Sequence, residues 1–106
     1  MTDAELLKVL GDESRLSLLY LLSQKAQCVC ELEVALDISQ SSTSKHLQRL
    51  KKANLIKSEK RGLWVYYSIV PTTFKQYPYL EALMQHLATE GHYEHLKPVM
   101  ICEQSE

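Results

Sequence analysis

At 106 residues, 45% of them hydrophobic, and with a formal net charge of −1, the chain suits one domain with a real core, which a partner chain would help to bury. It shows no charged-then-apolar leader and no apolar run near the ~20 residues of a bilayer span, which predicts a soluble, cytoplasmic protein with no membrane partner. Its three cysteines cannot all pair, and in a reducing compartment clustered thiols point to metal or redox chemistry rather than to a structural disulfide.

The first helical period passes through Leu6, Leu7 and Leu10 and stops at Gly11. Asp12 is the expected N-cap of a second helix, from Glu13 to about Gln24, in which Leu16, Leu18, Leu19, Tyr20, Leu21 and Leu22 are apolar almost all round. Such a helix belongs at the centre of the domain. A short third helix fits Cys30 to Ala35, and Asp37-Ile38-Ser39 reads as the turn after it. Ser39 or Ser41 can cap a fourth helix, about Ser41 to Ala53, with Leu47 and Leu50 inward and polar or basic side chains elsewhere.

Two helices joined by a tight turn, the second opening on short hydroxyl and basic side chains, match a helix-turn-helix that enters the major groove. Gln40, Ser41, Ser42, Ser44, Lys45 and His46 are the candidate base and phosphate contacts, with Arg49, a turn deeper, as a phosphate anchor. Two β-prone runs, Leu55 to Arg61 and Trp64 to Val70, flank Gly62 and read as a hairpin, packed through Trp64, Tyr66 and Ile69. Lys60 and Arg61 at its tip make it a wing able to lie on phosphates or in the minor groove. Pro71 ends the second run, and Thr72 or Thr73 caps a last helix expected to reach about Gly91 with an apolar stripe of Tyr79, Leu80, Leu83, Met84 and Leu87.

Charge follows the same division. Residues 41–67 carry seven basic side chains against Glu59 alone, whereas residues 1–40 hold three against seven acids. A basic patch on an otherwise acidic chain marks a surface for phosphate. The pattern therefore predicts a mainly α, α+β winged helix-turn-helix: one DNA-binding domain over 1–106 with a flexible tail from about residue 97. Apolar segments at both ends predict a homodimer through the terminal helices. Its two reading helices would sit ~34 Å apart on double-stranded DNA carrying an inverted repeat.

Cys28 and Cys30 immediately precede the helix-turn-helix, so a chemical event at sulfur could reach the reading helix through a few packed residues. Side chains at i and i+2 of an α-helix diverge. Gripping one ion is therefore expected to unwind the first turn of the third helix, while the helix dipole favours thiolate at both cysteines.

Cys28-Val29-Cys30-Glu31-Leu32, then Ser39-Gln40, Ser44-Lys45-His46-Leu47, Leu50 and Gly62-Leu63-Trp64-Val65-Tyr66-Tyr67, together resemble the ArsR/SmtB winged-helix repressors over residues 5 to about 70. The likeness is strongest to the arsenical-responsive members. It implies a homodimeric repressor of an arsenical-resistance operon that leaves its operator when arsenite or antimonite binds the thiols. The family's third cysteine falls on Glu33 in this chain, and a carboxylate replaces a soft donor poorly. Either Cys28 and Cys30 suffice as metal ligands or Cys102 supplies the third sulfur. A second sensor site of some relatives survives in part, with His92, His95 and Glu81 present but Tyr79 in place of an Asp, which keeps zinc as a lesser candidate. A redox repressor in which Cys28 or Cys30 pairs with Cys102 is a further alternative. An enzyme is not expected: nothing in the sequence places a base and an orienting group beside either cysteine, and no phosphate loop is present.

Overall fold

Local capping starts the first two helices of the computed structural model, which describes residues 1–101. Ahead of α1 (Asp3–Leu10), the Glu5 N–H donates to Thr2 Oγ1 at 3.1 Å and the Thr2 N–H to Glu5 Oε1 at 2.8 Å, so each residue satisfies the other's orphan donor. Asp12 caps α2 (Glu13–Leu22) by accepting the Arg15 N–H at 3.1 Å. That hydrogen bond holds the Asp12 carboxyl below its ordinary value of 3.8, against an opposing push from desolvation. The cap's contribution is therefore complete above the ordinary carboxylate range and is lost as pH falls through the lowered value. Asp12→Ala is expected to cost about 1 kcal/mol, read as a shift in urea midpoint that shrinks in acid.

The core forms around α2, whose Leu18, Leu19 and Leu21 are fully buried. It meets Leu32 from α3 (Val29–Leu36) and Leu47 and Leu50 from α4 (Gln40–Lys52), with Leu6, Leu55, Ile56 and Leu80 closing the cluster. α3 ends at Asp37, which adopts the left-handed conformation at φ 57° and ψ 47°, and Ser39 then caps α4 by accepting the Ser42 N–H at 3.1 Å. This short left-handed step turns the chain from the supporting helix to the reading helix. Leu50→Ala should destabilise the domain by ~2–5 kcal/mol, measured by chemical denaturation.

β2 (Ile56–Arg61) and β3 (Trp64–Ile69) pair antiparallel from Ile56 opposite Ile69 to Arg61 opposite Trp64. Gly62, at φ 62°, makes the turn, a conformation open to glycine without Cβ strain. The hairpin is not alone. A two-residue strand, β1 (Gln27–Cys28), pairs with β3 through Gln27 opposite Tyr67 and Cys28 opposite Tyr66, giving sheet order β1-β3-β2. The wing is thus bonded directly to the backbone of Cys28.

The expected last helix is broken into α5 (Thr73–Gln76), α6 (Pro78–Leu87) and α7 (Gly91–Glu94). Pro78 has no N–H and restrains the residue before it, and Tyr77 accordingly sits at φ −128° and ψ 76°. Gly91 opens α7 rather than ending a helix. The stripe is also partly used within the chain: Leu80, Met84 and Leu87 are buried, Leu83 is half-buried, and Tyr79 is exposed with its hydroxyl donating to Asp3 Oδ1 at 2.6 Å. No described helix is long and apolar enough to cross a membrane.

Candidate sulfur centre and nucleic-acid interface

Cys28 is the N-cap of α3, in extended backbone at φ −88° and ψ 167°, and Cys30 is the second residue of the helix. Because the two lie on either side of the helix boundary, the i, i+2 divergence does not apply. Their Sγ atoms are 3.0 Å apart. That is well beyond a ~2.05 Å disulfide bond and within the span of two ~2.3 Å bonds to one ion. The expected unwinding of the first turn is therefore corrected: the extended cap already turns one sulfur onto the other.

The expectation of a helix-favoured thiolate is corrected too, for Cys30. Its pKa is raised above the ordinary 9.0, first by burial and then by the charge of Glu31, with a smaller push from Glu33; backbone N–H groups of Glu31 and Cys30 oppose these only in part. Glu31 itself is fully buried. Its Oε1 accepts the Cys28 N–H at 3.1 Å and its Oε2 the Ile101 N–H at 2.9 Å, so one carboxylate fixes both the sulfur-bearing helix start and the chain seventy residues on. Cys102, the candidate third sulfur, lies outside the described residues.

A cleft of about 330 Å³ opens over the pair. It is lined by Cys28, Val29, Cys30 and Glu33, by Gln40 at the first turn of α4, and by Leu63, Trp64 and Val65 of the wing. Cys28 also packs on Tyr66 of β3. The sulfur site thus touches both the reading helix and the wing.

On α4 the buried side chains are Thr43, Leu47 and Leu50, and the Thr43 hydroxyl donates to the Ser39 carbonyl at 2.8 Å. Opposite them, Gln40, Ser41, Lys45 and Arg49 are exposed and Ser44 is half-buried, at the three- and four-residue spacing that forms one stripe. Ser42 is exposed beside it. Gln48 and Lys52 extend the same stripe and, with Lys45, Arg49 and Lys51, line a basic groove; their spacing from Lys45 was the signal in the sequence. His46 points elsewhere. Its Nδ1 lies 3.4 Å from Arg15 Nη1 and 3.9 Å from Asp12 Oδ1, so the ring ties α4 to the start of α2. On the wing Lys60 is exposed, whereas Arg61 stacks 5.0 Å from the Tyr66 ring centroid and lies 3.4 Å from Glu59 Oε1.

The lesser zinc site, which would join the last helices of two subunits, draws on three side chains. His92 Nε2 lies 2.7 Å from Glu13 Oε2, Glu81 and His95 are exposed, and no three His, Cys, Asp or Glu side chains among the described residues are grouped to hold an ion.

A capped reading helix with a basic outer stripe, set on a supporting helix and flanked by a β wing, is the architecture of winged helix-turn-helix DNA-binding regulators. The family model described as bacterial regulatory protein, arsR family, matches residues 12–58. The arsenical resistance operon repressor of Escherichia coli K12 is 44% identical over 68 residues, covering 63% of this chain and 58% of that protein. An uncharacterised HTH-type transcriptional regulator of Methanocaldococcus jannaschii is 40% identical, with 69% of this chain and 83% of that protein covered. Reduced HlyU from Vibrio cholerae superposes with a TM-score of 0.66 at 31% identity, over 78% of this chain and 81% of the other. The chain belongs to the arsR family of bacterial regulators.

Proposed function

We propose that this chain is a transcriptional repressor of a metal(loid)-resistance operon that binds an inverted-repeat operator as a homodimer and releases it when arsenite or antimonite bridges Cys28 and Cys30. The observation that carries the proposal is the sulfur pair, 3.0 Å apart, lining a cleft together with Gln40 and the wing tip. An ion seated there sits between the two parts that must lie on DNA together. Occupancy would shift the wing against α4, so that loaded and empty forms differ in operator affinity, as coupling requires. The 44% identity to a repressor named for arsenical resistance supports the choice of inducer.

The test is a gel shift on an inverted-repeat duplex selected by the protein from a random-sequence pool, with arsenite, antimonite, zinc or peroxide added singly. Release by arsenite or antimonite alone, lost in Cys30→Ser, is the expected result. Release only by zinc would move the site to Glu81, His92 and His95, and release only by peroxide would make the cysteines a redox switch. Arsenic-edge X-ray absorption on wild type and Cys102→Ser counts the sulfurs directly. A count lower by one in the variant assigns Cys102 as the third ligand.

The raised Cys30 pKa gives a second check. Neutral arsenite, As(OH)₃, exchanges hydroxide for sulfur with each thiol proton leaving in water, so no net proton is released. Arsenite affinity should be flat from pH 6 to 8 and decline only where thiols ionise. Cadmium must expel the Cys30 proton, and its affinity should rise at least about tenfold per pH unit over the same range. Calorimetry at three pH values separates the two patterns.

A further inference from the structure

The wing ends in a side chain that phosphate contacts do not call for. Beyond its last strand pair, Arg61 opposite Trp64, the turn holds only Gly62 and Leu63. Glycine has no side chain, so Leu63 leads the wing. It keeps 91% of its surface in solvent, the most of any large hydrophobic residue among those described, and Trp64 and Val65 behind it are also exposed, at 37% and 41%. Three consecutive apolar side chains at the tip of a basic hairpin form a patch rather than a scattered residue. Arg61 does not compete for the apex, because its guanidinium is folded back along the sheet, 5.0 Å from the Tyr66 ring centroid and 3.4 Å from Glu59 Oε1. We propose that Leu63 is a wedge that enters the minor groove of the operator, partly unstacks one base step, and so selects flexible pyrimidine–purine steps where the protein makes no base hydrogen bond. The inference rests on the reading of the domain as an operator binder and deepens it.

Charge identifies what covers the tip. Lys57 and Lys60 are exposed on β2, and Lys51 Nζ donates to Ser58 Oγ at 2.8 Å, which ties the hairpin to the basic groove of α4. An apolar apex rimmed by cations suits a duplex, where phosphates flank a groove floored by stacked bases. The core of a protein contact is instead depleted of charge. Reach agrees: a six-residue strand at ~3.3 Å per residue spans ~20 Å, and half of the ~34 Å DNA turn, the step from a major groove to the neighbouring minor groove, is ~17 Å. With α4 in the major groove, the tip arrives at a groove ~6 Å wide. Burying one leucine and unstacking one base step are of similar size and opposite sign. The wedge therefore adds little affinity and decides chiefly which sequences accept the bend.

Wild type, Leu63→Ser, Leu63→Met and Lys60→Ala are each taken through binding-site selection from a random-sequence pool, and the wild-type duplex is then run as circularly permuted probes with all four proteins at several salt concentrations. Wild type should bend the duplex by tens of degrees and select a TA or CA step about half a turn from each major-groove contact, preferred about tenfold over a purine–pyrimidine step. Leu63→Ser should lose both the bend and the step preference while keeping the wild-type salt slope and an affinity within about tenfold; Leu63→Met, still an apolar wedge, should keep them. Lys60→Ala should do the reverse, with the slope lower by about 0.9 and the bend intact. A straight wild-type complex, or equal bending and step preference in wild type and Leu63→Ser, overturns the wedge while leaving the operator reading standing. A changed oligomeric state of Leu63→Ser in gel filtration also overturns it, by making the tip a protein contact. If wild type selects no duplex at all, the operator reading falls and the wedge with it.

Discussion

Cys30→Ser should hold operator DNA as tightly as wild type and should not release it at any arsenite concentration that empties the wild-type complex. Two donors on one scaffold act on a bound ion as a chelate, and the second bond forms at an effective concentration worth ~10²–10⁴ in affinity. Serine leaves a single sulfur, so arsenite affinity should fall by at least about a hundredfold. The fold should survive. Cys30 is half-buried at the second position of α3 and donates nothing to the core cluster around α2. Cys28 is a less clean site, since it is buried in the sheet opposite Tyr66; Cys28→Ala, which adds no buried hydroxyl, is the better companion. Both variants must lose arsenite response together, because the pair works as one clamp.

Arg49→Ala and Lys45→Ala should weaken operator binding by about tenfold each and flatten its salt dependence. Each phosphate contact contributes roughly 0.9 to the slope of log affinity against log salt, so the double variant should lose close to two units. Both side chains are exposed on the α4 stripe, away from Thr43, Leu47 and Leu50, and neither change should alter the urea midpoint by more than ~0.5 kcal/mol. Gln40→Ala is expected to act differently. Its loss should relax base preference at one position of each half-site by ~1–3 kcal/mol with the salt slope unchanged, which a binding-site selection reads directly. His46→Ala, at a residue held by Asp12 and Arg15, should lower stability more than specificity.

What the sequence disclosed and what it hid divide along the range of the interactions. The helix start at Asp12, the buried Leu47 and Leu50, and the hairpin around Gly62 follow from caps and periodicities that act within a few residues and are where the pattern places them, and Ser39 is one of the two caps it offers for the reading helix. The break at Pro78 is legible in the proline itself, but the apolar stripe runs on through it and favours one continuous helix. The two-residue strand at Gln27–Cys28 is not legible, since so short a strand has no alternation to detect. The sulfur geometry was hidden too: Cys28 lies outside the helix whether it starts at Cys30 or at Val29, so the i, i+2 rule of the helix interior does not say whether the extended cap turns its sulfur away from Cys30 or toward it. Glu31 reads as a surface acid in the sequence, yet it is buried by contacts that include Ile101, seventy residues away. The apolar lining that the wing gives the cleft is likewise formed by chain remote from the cysteines and could emerge only from the folded sheet.

The central claim is that one ion in the cleft is felt by both DNA-reading parts. The most direct measurement is the operator dissociation constant of the empty and arsenite-loaded protein at one fixed salt concentration, with Cys30→Ser carried in parallel. The account predicts a loss of roughly 5- to 150-fold on loading wild type, the usual range of such coupling, and none in the variant. Equal operator affinity in the empty and fully loaded wild type would contradict it.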